Sequence, residues 1–196
     1  MFRAVRTWPD RTVRAAAIAC AAAALAAAHA APAAEPARWR PAVAAEIGRG
    51  DDTDMLRLAL AAEQAAPLWS RETLSLAAFG EIAAAHWRFP QPNAAGRRHI
   101  TVVGVTPYLR LRDTRIGRWF FDFGIGLNAL SDLYETRDRR FSTRFQFSDH
   151  LAFGRGFGDG DALELSYRFI HFSNAGIRRP NPGLNFHVLR LQYRFR

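Results

Sequence analysis

Leu163-Glu164-Leu165-Ser166-Tyr167-Arg168-Phe169 and, further on, Leu189-Arg190-Leu191-Gln192-Tyr193-Arg194-Phe195 set large apolar side chains at every second position. Between them stand long charged or polar ones. Successive side chains of a strand point to opposite faces, so each segment predicts a strand with one apolar and one polar face. The same period runs through Phe121, Phe123, Ile125 and Leu127, through Phe145, Phe147, Leu151 and Phe153, and through Leu56, Leu58 and Leu60. Turn-forming stretches separate the runs: Gly50-Asp51-Asp52, Pro90 to Gly96, Asp113 to Arg118, Ser131 to Arg140 and Gly158-Asp159-Gly160. Strands are predicted at 41–49, 54–64, 71–88, 98–111, 119–129, 143–157, 161–172 and 185–195. The third is the longest and is expected to carry a bulge.

Eight strands of about 9–11 residues suit a closed barrel tilted across a bilayer. The fold class expected is all-β, an eight-stranded antiparallel transmembrane β-barrel. Charged side chains such as Arg144, Glu164, Arg168, Arg190 and Arg194 would pair inside it, and the aromatic face would meet lipid. A soluble barrel of inverted sidedness fits the alternation equally well. What favours the membrane is the aromatic Phe195 closing the last strand, together with the N-terminus. There Arg3, Arg6, Arg11 and Arg14 precede an apolar run from Ala15 to Ala28, and Ala28-His29-Ala30 follows. That is the pattern of a secretory signal, too short for a membrane helix. The organisation expected is a cleaved signal at 1–30 and an outer-membrane barrel at 31–196. Cys20 is the only cysteine and falls in the apolar run, where Ala17-Ile18-Ala19-Cys20 is a poor lipidation signal. The barrel then has no disulfide.

Composition narrows the function classes. The sequence is 49% hydrophobic and 23% charged, too apolar for disorder and too charged for a helical membrane protein. All basic residues are arginine, and the net charge is +9. Guanidinium groups suit phosphates and anionic lipids. No basic helix or aromatic-basic signature points to nucleic acid. His86, His99 and His150 lack metal-ligand spacing, so no metal and no cofactor is expected. Trp69, Trp87 and Trp119 fall near predicted strand ends, where an aromatic belt belongs.

The least ordinary stretch is Phe169-Ile170-His171-Phe172-Ser173-Asn174-Ala175-Gly176-Ile177-Arg178-Arg179-Pro180-Asn181-Pro182-Gly183. It begins as a strand and ends as a loop. His171 and Ser173 share a face, as a general base and a serine nucleophile require. Asn174, by its amide or through nearby backbone N–H groups, is a candidate for an oxyanion hole. Counting back by twos from His171 meets Phe169, Tyr167, Leu165 and Leu163, so the pair lies on the apolar face. An ionisable residue facing lipid is expensive and points to function. With the first strand rising from the periplasm, the seventh ends at the exterior, in the outer leaflet. Spacing alone is also what coincidence produces, and the Asn-Ala-Gly and Pro-Asn-Pro-Gly portions alone read as turn chemistry.

His171-Phe172-Ser173-Asn174-Ala175-Gly176-Ile177, followed by Pro180-Asn181 and Gly183, resembles the signature of the PagL family of lipid A 3-O-deacylases. The resemblance is specific over 168–195 and extends loosely through the strand pattern and Phe147-Ser148-Asp149. It implies an outer-membrane barrel that hydrolyses the 3-position acyl ester of lipid A without a metal, with His171 as base, Ser173 as nucleophile and Asn174 in the oxyanion hole. The family's pattern has a glutamate as third triad member, and here that position is Asn185. Asparagine orients a histidine but supplies no charge. Asp149, also on the apolar face and expected nearly opposite Phe169, is the alternative partner of His171. Arg178 and Arg179 are candidates for substrate phosphates. The partners expected are lipid A in lipopolysaccharide and the membrane itself, with a homodimer left open. Two other readings stand beside the enzyme: a non-catalytic structural outer-membrane barrel of the same fold, and a soluble periplasmic lipid-binding barrel.

Overall fold

The computed structural model describes residues 39–195; the expected export signal lies outside them. The strands are β1 (Trp39–Gly50), β2 (Thr53–Gln64), β3 (Trp69–Arg71), β4 (Leu74–Pro90), β5 (Arg97–Asp113), β6 (Trp119–Leu130), β7 (Phe145–Phe157), β8 (Leu163–Ser173) and β9 (Leu184–Arg194). All pairings between them are antiparallel. β1 pairs with both β2 and β9, and β2 pairs with β4, so eight strands close into a barrel. The three-residue β3 only extends one edge of β4.

Two expectations change here. The segment 71–88 does not begin as one strand. The chain turns back at Glu72, which has a φ of 50°, so Arg71 pairs with Leu74. The predicted bulge is also absent, since β4 pairs with β5 in unbroken register from Leu74–Asp113 to Pro90–Arg97.

Sidedness follows the alternation. Phe121, Phe123, Ile125, Leu127, Leu165 and Leu191 point outward and are each nearly half exposed. A soluble barrel would bury this wall, so it is built to face hydrocarbon. The inside is charged. Arg57 donates to Glu46 at 2.7 Å and to Glu81 at 2.5 Å, and Arg190 pairs with both carboxylates. A second group sits nearer the other end. Arg110 grips Asp122 through two bonds of 2.6 and 2.9 Å and reaches Glu164 at 2.8 Å. Arg194 joins Glu63 to Glu164. Closing these charges away from water is tolerable only because each has partners.

The strand ends differ. The connections 65–73, 114–118 and 158–162 share one end with the start of β1 and the end of β9, while 91–96, 131–144 and 174–183 share the other. Longer loops mark the exterior of such barrels. The loop 131–144 folds back over the lumen there. Tyr134 and Phe141 are fully buried with Trp87, Phe89, Phe172 and Phe186. The Tyr134 hydroxyl meets Thr53 Oγ1 at 3.0 Å, and burial holds its phenol above the usual range. Trp87 therefore belongs to this internal plug and not to a lipid belt.

Candidate active site

β8 presents Phe169, His171 and Ser173 outward, while Ile170, Phe172 and Asn174 turn in and are buried. The inward residues pack into the aromatic plug, which anchors the outward ones at the top of the wall. Directly across β8 from His171 stands Asn185 of β9, and on the other side Asp149 of β7. Three adjacent strands thus set Asp149, His171 and Asn185 in one outward row. Asp149 is closer than the sequence suggested: it faces His171 itself, and Phe169 faces Leu151. The difference is one pairing step, fixed by where the Gly158–Ala162 turn closes.

His171 Nδ1 donates to Asn185 Oδ1 at 2.6 Å. That bond places the ring proton on Nδ1 and leaves the Nε2 lone pair as the basic edge. Asp149 makes no hydrogen bond to His171. Beneath the imidazole lies Gly183, with a φ of 68°. A Cβ there would stand 2.7 Å from His171 Cε1, so this position needs glycine for both conformation and space. Ser173 is two residues from His171 on the same face, and no hydrogen bond joins them in this structure. Its hydroxyl accepts instead from the Ala175 N–H at 3.4 Å.

Asn174 is used differently from Ser173. Its side chain points inward and is 1% exposed. Both amide protons are committed, to Ser142 Oγ at 3.0 Å and to the Arg178 carbonyl at 2.7 Å. Its oxygen accepts from the Gly176 N–H at 3.0 Å, and its own N–H donates to Asn181 Oδ1 at 3.0 Å. Asn174 is thus the knot of the loop, and the backbone donor nearest the serine is Ala175. Arg178 and Arg179 are exposed at the loop's outer edge. Arg139 of the neighbouring loop braces the same segment, donating to the Gly183 carbonyl at 2.9 Å.

Three polar groupings escaped the sequence reading. Ser148 and His150 share a face with the same spacing as His171 and Ser173 and are hydrogen-bonded at 2.8 Å. They lie inside the barrel, where no lipid reaches. His86 and His99 meet on the outer wall, Nε2 to Nδ1, at 2.9 Å. The Tyr167 hydroxyl and His187 Nδ1 are hydrogen-bonded at 2.5 Å, also on the outer wall and next to the site. Parity shows which face each residue takes, but cross-strand partners need the register. Among the described residues no cluster of three or more potential ligands is arranged for a metal ion.

The sequence pattern of the Lipid A 3-O-deacylase (PagL) family matches residues 55–194. The lipid A deacylase PagL of Bordetella bronchiseptica is 33% identical over 115 residues, 59% of this chain and 61% of that protein's length. The chain thus aligns with under two thirds of that relative. The lipid A deacylase PagL of Pseudomonas aeruginosa is 27% identical over 148 residues, 75% of this chain and 82% of that one. A crystal structure of the outer membrane enzyme PagL superposes with a TM-score of 0.66 at 22% identity, covering 78% of this chain and 98% of that one, and shares the fold. The matched stretch takes in seven of the eight barrel strands and every residue of the outward row, and the chain belongs to the lipid A 3-O-deacylase (PagL) family.

Proposed function

We propose that this outer-membrane barrel, exported by a cleaved signal at 1–30, hydrolyses the 3-position acyl ester of lipid A from the outer leaflet. The observation that carries the reading is the 2.6 Å bond from His171 Nδ1 to Asn185 Oδ1, made on the lipid-facing wall two residues from Ser173. A polar group has little reason to be held so firmly against hydrocarbon unless it works there.

In the reaction, Ser173 Oγ attacks the ester carbonyl and His171 Nε2 takes its proton. The carbonyl electrons move to oxygen, where the Ala175 N–H, presented by the turn that Asn174 ties, stabilises the charge. The intermediate collapses, the sugar 3-oxygen leaves, and His171 returns the proton to it. A water molecule, deprotonated by the same nitrogen, then attacks the acyl-enzyme, and as the fatty acid leaves, His171 returns that proton to Ser173 Oγ. Asn185 holds the imidazole in orientation. Asp149, facing it from β7, supplies the negative charge that asparagine lacks when the ring becomes cationic. Arg178 and Arg179 meet lipid A phosphate at the loop edge. All these residues come from one chain, so the reaction does not call for the homodimer left open above.

Mass spectrometry of lipid A from cells expressing wild type, His171→Ala or Ser173→Ala tests this. Wild type alone should yield lipid A lacking one acyl chain. An unchanged acyl pattern with folded wild-type protein would leave the non-catalytic barrel as the better reading.

A further inference from the structure

Arg49 stands on β1, outside the stretch the family pattern matches. The register sets it directly opposite His187 of β9, and His187 opposite Phe169 of β8. Arg49 and His187 therefore continue the catalytic wall sideways, one outward step below the His171–Asn185 pair. The next outward pair in the same two strands is Ile47–Leu189, which is plain hydrocarbon surface.

The Arg49 side chain is 75% exposed, and its ion pair with Asp54 is long, at 4.0 Å. Asp54 is already engaged by Arg97 at 2.9 Å, so it holds Arg49 only loosely. His187 Nδ1 is hydrogen-bonded to the Tyr167 hydroxyl, which holds the ring and leaves Nε2 as its other polar edge. A loosely held guanidinium on one strand and an imidazole opposite it on the next, at the edge of a lipid-facing wall, are a setting for an anion.

We infer that Arg49 and His187 form an anion subsite of the catalytic wall, and that it takes the phosphate on the anomeric carbon of the sugar whose 3-acyl ester meets Ser173. The inference rests on the deacylase reading above. Neighbouring strands lie about 4.8 Å apart, which puts β1 about 10 Å from β8, and an arginine side chain spans part of that gap. The ester and the phosphate are 1,3-related substituents of a single sugar ring, so they lie closer together than the two strands, and the Arg49 side chain has to reach across β9 to make up the difference. Phosphate at Arg49 would hold the ring with its 3-position at the serine.

The test is steady-state hydrolysis of lipid A in mixed micelles by the full chain, using the parent lipid and the same lipid with the anomeric phosphate removed. Wild type should prefer the parent about tenfold in kcat/KM. Arg49→Gln should raise KM for the parent about tenfold with kcat within twofold, and should bring the ratio between the two lipids close to one. Arg49→Lys should recover part of the preference. His187→Gln serves as a second variant if Arg49→Gln does not fold, as judged by heat-dependent gel mobility. The same ratio in wild type and Arg49→Gln overturns the subsite while leaving the deacylase standing. Inhibition of wild type by inorganic phosphate, with both lipids cleaved equally, also overturns it, because the cation would then serve a free anion. A folded wild type that cleaves neither lipid fails at the deacylase reading itself and takes the subsite with it.

Discussion

At the scale of single residues, the proposed reaction divides between two neighbours the tasks of orienting His171 and of balancing its charge. In that proposal Asn185, bonded to His171 at 2.6 Å, contributes direction, and Asp149, opposite His171 in the register, contributes charge. Asn185→Ala is expected to lower kcat about a hundredfold, because the imidazole loses the bond that sets its tautomer. Asp149→Asn should lower kcat about tenfold, since only the stabilisation of the imidazolium is lost. Asn185→Asp should rescue much of the Asp149→Asn defect by returning a carboxylate to Nδ1. Initial rates on lipid A for the single and double variants check this, and an absence of rescue would show that the charge of Asp149 is not what matters. Gly183 yields a separate prediction. Its left-handed φ and the 2.7 Å approach to His171 mean that Gly183→Ala displaces the ring. Activity should fall at least tenfold (~1.4 kcal/mol in the barrier), while heat-dependent gel mobility continues to report a folded barrel.

At the scale of elements, the serine sits where a strand runs out into a loop, and a second loop fixes that boundary. Arg139 reaches the Gly183 carbonyl at 2.9 Å and Asp51 at 3.4 Å, while Ser142 donates to the Arg178 carbonyl at 2.8 Å and accepts from Asn174. Neither faces the lipid wall, so both act by positioning. Arg139→Ala should lower kcat several-fold and speed protease cleavage within 174–183, whereas a variant of the remote loop 114–118 should do neither. Equal cleavage rates in the two variants would sink the bracing role. This loop contact was not legible in the sequence, because 131–144 lacks a period and its partners are distant along the chain. The strands were legible. Alternation at Phe121 to Leu127 and Leu163 to Phe169 sets parity without knowledge of register, and parity alone put His171 and Asn185 on the lipid face. Trp87 was misjudged because position near a strand end suggested a belt, while its parity with Ala85 and Phe89 turns it inward. Asp149 was misplaced by one step because register depends on turn geometry that composition does not specify.

At the scale of the whole barrel, the wall that holds the site is supported from within by charge. Below the aromatic plug the inner face is largely polar, so there it is held by ion pairs and hydrogen bonds that cross the lumen. Glu81 is central to them. Its side chain is fully buried and meets Arg57 at 2.5 Å, Arg190 at 2.7 Å and the Tyr108 hydroxyl at 3.3 Å. Tyr108 in turn joins His150 and Arg168. Removing the carboxylate leaves the buried guanidinium groups with Glu46 as their main remaining counter-charge. Glu81→Ala is therefore expected to cost about 3–5 kcal/mol, as breaking a buried pair does. Replacing Glu81 and Arg190 together by Leu and Met should cost less than the sum of the two single changes, because no lone charge is added. By contrast, Asp113→Asn should leave the unfolding midpoint unchanged, because its pair with Arg115 lies at the surface, where an isolated ion pair contributes little. Urea titration followed by gel mobility of the folded band measures each of these variants. A Glu81→Ala midpoint equal to wild type would mean that the lumen admits water freely, and that the barrel is held by its strand ladders and lipid contacts instead.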